Sequence, residues 1–286
     1  MSRGVNRASK GKLVAMKLSL VISAQPASFS ALAYKGRLEE NIAKLAGFGY
    51  DGVELAVRDP EALDADALRA LTRSLGLTIP AIGTGQIYGE DGLSFTSPDA
   101  SVREGAIERV KAHIRLAREL EAIVIIGLVR GRRAVGVTAD QAEAWLVEAL
   151  RACASTNPAV KLAIEPINRY ETDLVNTVAS GLGLVGKVAA DNVGLLLDSF
   201  HMNIEESSMT AAITKSGDRL FHFHVADSNR WHAGAGHTDF AEILGALQRA
   251  GYTGFLSAEI LPFPDPDAAA RNNIATLHRI LRCLPS

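Results

Sequence analysis

The stretch Leu162–Thr177, LAIEPINRYETDLVNT, decides the fold prediction, because a short apolar run in it ends abruptly at a carboxylate. Leu162–Ile164 is typical of a buried strand, and Glu165 follows it directly. Regular pairing should stop at Pro166, which has no N–H to donate to a sheet ladder. Mostly polar side chains follow as far as Asn176, as in a loop. Such a strand end would more often be simply solvated, but it is also how a parallel barrel forms one wall of an active site.

The rest of the chain repeats this pattern, with apolar runs that alternate with longer amphipathic segments from Met16 onward. The predicted strands are Lys17–Ser23, Asp51–Leu55, Leu77–Gly83, Ala122–Gly127, Lys161–Glu165, Val193–Asp198, Leu220–Val225 and Gly254–Glu259. The predicted helices are about Arg37–Gly47, Asp64–Ser74, Asp99–Leu120, Thr138–Ala154, Val178–Ala189, a segment after Ser207, Thr238–Ala250 and Ala268–Leu281. Thr84–Thr96 is predicted to be a long glycine-rich loop.

Eight strand-then-helix units indicate an α/β protein with a single (β/α)₈ TIM barrel over residues 16–286. The strands are continuously apolar, as a parallel sheet covered on both faces requires. A doubly wound sheet is the alternative. No glycine fingerprint follows the first strand, and no composition break marks a second domain, so the barrel is favoured.

Composition limits the function classes. The chain has 286 residues and a net charge of −2, which gives no electrostatic reason to bind nucleic acid or an anionic membrane. No apolar run approaches the length of a membrane span. Cys153 and Cys283 have no metal or redox spacing, so we expect reduced, packed cysteines and a cytoplasmic protein. Residues 1–15 carry four basic residues and no apolar core, which predicts a disordered basic leader.

Four consecutive predicted strands end in groups that can bind a metal, namely Glu165, Asp198, His224 and Glu259. In a barrel the carboxyl ends of all strands meet on one face, so these side chains should converge. Each alone could be a satisfied polar group, but four at equivalent positions are a much less probable coincidence. Three carboxylates and one imidazole suit one divalent cation such as Mn²⁺, Mg²⁺ or Co²⁺.

A second set of polar residues follows these strands in the adjoining loops. Glu171, His201 and Arg230 are of types that hold hydroxyl and carbonyl oxygens of a sugar-like substrate. The alternatives are a surface ion pair for Arg230 and a helix-start contact for His201.

Several motifs also carry a resemblance to a known family. EPINRYET, LLLDSFHMNIEE, HFHVADSNR with GAGHTDF, and SAEI together resemble the ketose 3-epimerase group of the xylose isomerase-like barrel superfamily. That group includes D-tagatose, D-psicose and L-ribulose 3-epimerases and a 5-keto-L-gluconate epimerase, and hydroxypyruvate isomerases are more distant relatives. The resemblance extends from Met16 over essentially the whole chain. One departure is Trp231–Ala233 before Gly234, where relatives commonly have a proline.

The resemblance implies that Glu165, Asp198, His224 and Glu259 bind the metal and that Glu165 and Glu259 are the two acid/base groups. It places Glu171, His201 and Arg230 against substrate oxygens, and it implies a homodimer or homotetramer. A carbon acid beside a ketone is too weak for an unaided carboxylate, so a cation must stabilise the enediolate. One glutamate then removes the C3 proton and the other returns one from the opposite face.

The substrate class is open between a ketose and a keto-sugar acid. Leu128–Arg133, LVRGRR, places Arg130, Arg132 and Arg133 after the fourth strand, and arginines suit a carboxylate or phosphate. This stretch and IGTGQIYG at Ile82–Gly89 resemble the 5-keto-L-gluconate epimerase branch. A solvated turn with ion pairs to outer helices is an equal alternative for the arginines. The role of Glu54, which ends the second strand, is open.

Three other functions compete with the metal-dependent C3 epimerase. An aldose–ketose isomerase would use the same metal site, and its products would distinguish it. An abasic-site endonuclease shares the superfamily fold, but the net charge and the single ligand set argue against it. A sugar-binding barrel without catalysis is disfavoured by the presence of both candidate acid/base glutamates.

Overall fold

The computed structural model describes residues 16–284, so the predicted leader, residues 1–15, lies outside the described residues. The strands are β1 Lys17–Ser23, β2 Tyr34–Lys35, β3 Gly52–Ala56, β4 Ala81–Gly83, β5 Ile123–Ile126, β6 Leu162–Ile164, β7 Val193–Asp198, β8 Leu220–Val225 and β9 Phe255–Ala258. The α-helices are α1 Leu38–Phe48, α2 Ala65–Ser74, α3 Gly85–Asp91, α4 Ala100–Leu120, α5 Ala139–Ala154, α6 Val178–Val188, α7 Ser199–Glu205, α8 Met209–Ser216, α9 Phe240–Arg249 and α10 Pro266–Cys283. Short 3₁₀ turns lie at Pro60–Ala62, Leu128–Arg130 and Gly217–Arg219.

The eight strands other than β2 form a closed parallel barrel. Each of β3 to β9 pairs in parallel with its neighbour along the chain, and β1 pairs with both β3 and β9. The two-residue strand β2 adds only to the carboxyl end of β1, where Tyr34 is the register partner of Ile22. The predicted single (β/α)₈ barrel is therefore confirmed.

Alternation along each strand separates the barrel interior from the layer under the helices. In β5 to β7 the outward set, such as Val124, Ile164 and Leu195, belongs to the large core cluster shared with the helices. The alternate residues form a small separate cluster inside the barrel, made of Ala81, Ile125, Ala163 and Leu196. Side chains two residues apart on a strand point the same way. The inward-facing residues at the carboxyl ends of the strands therefore point into the barrel mouth.

Most helices begin at a side chain that accepts a hydrogen bond from a main-chain N–H group of the first turn. The capping residues of this kind are Asp64, Asp99, Thr138, Thr177, Asp198, Ser208, Asp239 and Asp265. Asp198 thus ends β7 and starts α7 in a single step. No residue separates β7 from α7, so the strand-to-helix connection is shortest at the candidate metal ligand Asp198.

Three predictions of local structure were wrong. The strand predicted from Leu77 pairs regularly only from Ala81, because Pro80 lacks an N–H, and Thr78 makes a single bridge to Gly52. The stretch predicted as a loop contains α3. A helix was expected only after Ser207, but α7 precedes it and α8 is the expected one.

The cysteines differ from each other: Cys153 is buried in α5, as predicted, whereas Cys283 at the end of α10 is exposed. Within residues 16–284, no helix has the length and apolar character needed to cross a membrane.

Candidate active site

The four predicted metal ligands meet at the carboxyl end of the barrel. Ligand atoms from Glu165, Asp198, His224 and Glu259 all lie within 4.8 Å of one another. Asp198 on β7 and His224 on β8 are direct register partners. A register shift between Leu195 and Leu196 comes before this pair and changes which residues of the two strands lie opposite each other. Nδ1 of His224 lies 3.8 Å both from Oε1 of Glu165 and from Oδ2 of Asp198.

The polar atoms of this cluster fit a divalent cation. Oε1 of Glu165, Oδ2 of Asp198 and Nδ1 of His224 are buried and have no hydrogen-bond partner within the part of the chain that the structure describes. Buried polar atoms are rarely left unpaired, so three that face one another indicate a missing ligand. All are oxygen or imidazole donors, the types that Mn²⁺, Mg²⁺ and Co²⁺ accept.

The electrostatics of the cluster lead to the same conclusion. Burial raises the pKa of Glu165 to about 8, and the Glu259 carboxylate adds to that rise. Burial likewise raises the pKa of Asp198 and of Glu259. Burial alone would lower the pKa of His224, but nearby glutamates raise it to about 10. A cation bound at this point would take the place of the protons that the cluster otherwise holds.

Glu54, whose role the sequence left open, joins two histidines of β8 inside the barrel. Its Oε1 accepts a hydrogen bond from Nε2 of His224 at 2.9 Å, and its Oε2 accepts one from Nε2 of His222 at 2.8 Å. Burial alone would raise the pKa of Glu54, but the two histidines hold that pKa well below its usual range. Because a proton is fixed on Nε2 of His224, Nδ1 is the nitrogen available to a metal. His222 had no signal in the sequence beyond its two-residue spacing from His224.

The second predicted set is also at the site. Asn168 connects two of its members, because Nδ2 donates to Oε1 of Glu171 at 2.9 Å and lies 2.8 Å from Nδ1 of His201. Oδ1 of Asn168 accepts from the N–H of Tyr170, which fixes the orientation of the amide. Burial lowers the pKa of His201 well below its usual value, so the ring is neutral. Its Nε2 lies 3.3 Å from Nη1 of Arg230, which can only donate, and 3.7 Å from Oε1 of Glu165.

Arg230 is buried between the carboxylates rather than on the surface. Its Nη2 makes an ion pair with Glu259 and lies 4.0 Å from Oδ2 of Asp198. The guanidinium also lies over the Phe200 ring, 4.6 Å from the ring centroid. The Arg230 backbone has φ of 60°, a left-handed conformation that costs energy for a residue other than glycine. The alternative of a surface ion pair is therefore excluded for Arg230.

A buried carboxylate, Asp227, holds the loop that presents Arg230. Its Oδ1 accepts hydrogen bonds from the N–H groups of Ser228 and Thr238, at 2.7 and 3.0 Å, and its Oδ2 accepts one from Gly234 at 2.8 Å. A Cβ atom at Gly236 would lie 2.3 Å from Oδ1 of Asp227, so only glycine allows this approach. Burial alone would raise the pKa of Asp227, but hydrogen bonds from the N–H groups of Thr238, Gly236 and Ser228 lower it. Its stabilising effect is thus present above the pKa of the unfolded chain and is lost as the pH falls through the folded pKa.

Asp227→Asn is expected to lower the free energy of unfolding by about 2 kcal/mol, because one of the N–H groups would then face an amide N–H₂. It should also lower kcat/KM, because Arg230 would lose its fixed position. Urea unfolding and steady-state kinetics measure the two effects. Asp239→Asn is a matched control: Asp239 caps α9, and Asn caps as well as Asp, so stability should stay within about 0.5 kcal/mol. Equal effects of the two substitutions would contradict the role given to Asp227.

The three arginines after β5 are not among the side chains that line the cavity, and their binding of an acidic group stays a prediction. Arg130 is fully buried, and its guanidinium donates to the main-chain carbonyl of Glu165. Arg132 donates to the carbonyl of Tyr170 at 3.2 Å. Arg133 makes an exposed ion pair with Asp173 at 3.1 Å. The arginines therefore organise the loops after β5 and β6.

The site lies at the base of an open cavity. Side chains from several loops form its walls. Besides the site residues these include Val21, Ser28, Phe29, Leu32, Thr84, Gln86, Glu90, Leu128 and Ile167. A Cβ atom at Gly127, near the base, would lie 3.2 Å from Oε2 of Glu165 and would crowd that carboxylate.

Comparison with known proteins places this barrel in a family. The family described as xylose isomerase-like TIM barrel matches residues 42–280. The chain belongs to this family. Among family members, L-ribulose 3-epimerase of Mesorhizobium japonicum is 33% identical over 235 residues, which are 81% of this chain and 78% of the relative. D-Psicose 3-epimerase of Ruminiclostridium cellulolyticum is 32% identical over 242 residues, 82% of this chain and 80% of the relative.

A solved structure extends the likeness within the xylose isomerase-like family. A structure of L-ribulose 3-epimerase superposes with a TM-score of 0.78 at 28% identity and covers 93% of this chain and 95% of that one. The predicted resemblance to the ketose 3-epimerase group is confirmed, and with it the prediction of an isomerase class that acts on carbohydrates.

Proposed function

We propose that the protein catalyses C3 epimerisation of a ketose, with Glu165 and Glu259 as the two acid/base groups. The observation that carries the proposal is the position of these two carboxylates. They follow β6 and β9 and contribute to one cluster of ligand atoms within 4.8 Å. Relatives named as ketose 3-epimerases support the same reaction.

A divalent ion completes the proposed site, with Mn²⁺ the first candidate and Mg²⁺ and Co²⁺ as alternatives. Glu165, Asp198, His224 and Glu259 would hold it. When bound, it supplies the positive charge that makes the proton beside the ketone removable at neutral pH. Glu54 would keep Nδ1 of His224 directed at it.

The residues of the chain perform the proton transfer and hold the substrate. One of Glu165 and Glu259 takes the C3 proton and the other returns a proton on the opposite face, the order depending on the epimer bound. The His201 ring and the guanidinium of Arg230 contact substrate oxygens, with Arg230 as a donor, and Glu171 is an acceptor for a hydroxyl. Arg230 also stabilises Glu259 as a carboxylate, since its charge opposes the rise in the pKa of Glu259 that burial causes.

The charges along the cavity favour a neutral ketose over a keto-sugar acid. The acidic residues that line it are Glu54, Glu90, Glu165, Glu171 and Glu259. Arg230 is the one lysine or arginine among the lining residues in the described part of the chain. Its charge is already paired with Glu259. Glu90 and Glu171 lie outside both the proposed metal cluster and the Glu54–histidine pairs, so an added carboxylate near them would be repelled.

An aldose–ketose isomerase is the second candidate and would use the same metal site. Moving a proton between neighbouring carbons needs a single base, whereas inversion at one carbon needs a group on each face. The presence of both Glu165 and Glu259 favours the epimerase. Assembly into a homodimer or homotetramer and a cytoplasmic location stay predictions.

Isotope exchange tests the proposal. We would incubate the protein with Mn²⁺ in D₂O and, separately, with D-fructose, D-psicose, L-ribulose and a 5-keto-hexonate, and analyse products by mass spectrometry and NMR. Deuterium at C3 with inversion is the expected result, with the neutral ketoses better than the acid. Exchange at C1 with aldose formation would instead establish the isomerase. No exchange with any substrate in an intact, metal-loaded sample would contradict the two-glutamate mechanism.

A further inference from the structure

We propose that Gln86 and Glu90 on α3 bind hydroxyl groups at the end of the ketose that is remote from the reacting carbon. They would thereby make the enzyme selective for ketoses with a long hydroxylated chain. This inference rests on the proposed function and deepens it. The helix that carries both residues lies where the sequence predicted only a loop.

Gln86 has a buried acceptor that the protein itself does not satisfy. Its side chain lines the cavity and is 4% exposed. Nε2 donates to Oγ of Ser23 at 2.6 Å, and that hydroxyl donates in turn to the carbonyl of Gln25. The amide orientation is thereby fixed. Oε1 is left without a hydrogen-bond partner among residues 16–284, as expected of a group that awaits a donor from a ligand.

Glu90 adds a second acceptor on the same face of α3. It follows Gln86 by four residues, which places the two side chains one turn apart. Its Oε1 accepts hydrogen bonds from the N–H and the hydroxyl of Ser28, at 2.7 and 2.6 Å. Those contacts hold the carboxylate at the cavity wall, and Oε2 can accept a further hydroxyl proton.

The wall formed by α3 is held by hydrogen bonds and lies across the barrel from His224. It follows β4, and in the strand order of the closed sheet β4 is opposite β8, which carries His224. Asp91 at the end of α3 accepts hydrogen bonds from Arg58 at 2.8 Å and from Arg109 at 3.1 Å. Before α3, Oγ1 of Thr84 donates to the carbonyl of Ile125 at 2.7 Å.

These groups define the chemistry of what they bind. An amide oxygen and a carboxylate both accept protons from hydroxyl groups, and the carboxylate repels an acidic substituent. With C3 at the cluster of ligands, a ketotetrose has one carbon beyond the reacting one, whereas a ketohexose has three. A ketohexose therefore extends further toward the opposite wall and offers more hydroxyl donors to α3.

Substrate truncation combined with substitution tests this inference. We would measure kcat/KM of the Mn²⁺-loaded protein for a ketohexose, its 6-deoxy analogue and a ketotetrose, in wild type, Gln86→Met and Glu90→Ala. Gln86→Met keeps the volume but removes the acceptor. Each substitution should lower kcat/KM for the ketohexose by about tenfold and leave the ketotetrose within about twofold. At least one variant should no longer discriminate between the ketohexose and its 6-deoxy analogue.

Gln141→Met, the same exchange on exposed α5, should leave every value unchanged. Glu90 is only partly buried, so Glu90→Ala should keep its fold. If thermal unfolding shows that Gln86→Met is unstable, Glu90→Ala alone tests the inference. An equal loss for all three substrates, or no loss for the ketohexose, would overturn the inference while the wild type stayed active. A wild-type protein without activity on any ketose would instead overturn the proposed function.

Discussion

Glu259→Gln is expected to lower kcat for C3 epimerisation by about 10³-fold or more, and Glu165→Gln by a similar factor. General acid–base catalysis by one group contributes about 10²–10⁴-fold, and an amide cannot accept the proton. Each substitution also replaces a charged ligand of the proposed metal by a neutral one, which adds to the loss. Initial rates of epimer formation measure both effects.

The two variants should differ in their isotope exchange, because each keeps the base on one face. In D₂O, one variant should exchange the C3 proton of one epimer without inverting it, and the other variant should do so with the opposite epimer. Glu143→Gln is the control, since Glu143 is paired with Lys187 at the surface. Net epimerisation within tenfold of wild type in both variants would contradict the assignment of these glutamates.

Removal of divalent cations by a chelator is expected to abolish turnover and to lower the melting temperature. A ligand present at about 100 times its Kd stabilises a folded protein by about 2.7 kcal/mol, which for a chain of this size corresponds to about 4–5 °C. Activity should return on titration with Mn²⁺, and parallel titrations with Mg²⁺ and Co²⁺ would rank the alternatives. Differential scanning calorimetry and metal analysis provide readouts that do not depend on activity.

Asp198→Asn provides the control for this experiment. Asp198 supplies Oδ2 to the cluster, and its Oδ1 accepts from the N–H of Phe200, a contact that an asparagine can keep. Its melting temperature should therefore respond much less to Mn²⁺ than that of the wild type. Full activity of metal-free wild-type protein would exclude the proposed role of the cation.

The barrel and the convergence of its candidate metal ligands were predictable from the sequence because both depend on local periodicity. Apolar runs mark the strands, and a parallel barrel places their carboxyl ends together. Glu165, Asp198, His224 and Glu259 follow from this rule without knowledge of any tertiary contact. The boundaries of β1, β7 and β8 were also correct.

The sequence did not show features that depend on contacts between distant segments. Helix α3 contains two glycines and has no side-chain cap, so its local propensity is poor and its ion pairs with Arg58 and Arg109 hold it. The burial of Arg130 was not predictable for a similar reason, because its guanidinium donates to a carbonyl 35 residues away. His222 became part of the site only through Glu54, which lies on the other side of the barrel.

Closure of the barrel by β1 and β9 has a consequence for how the protein is made. Lys17 of β1 pairs with Phe255 of β9, the last strand. During synthesis on the ribosome, β1 therefore lacks its second neighbour until almost the whole barrel has been made. Glu259 follows β9 directly, so the last member of the site emerges together with the strand that closes the sheet. Until then β1 and β8 are open edges that can pair with other nascent chains. Synthesis that stops before Phe255 should thus produce aggregates rather than a weakly active enzyme.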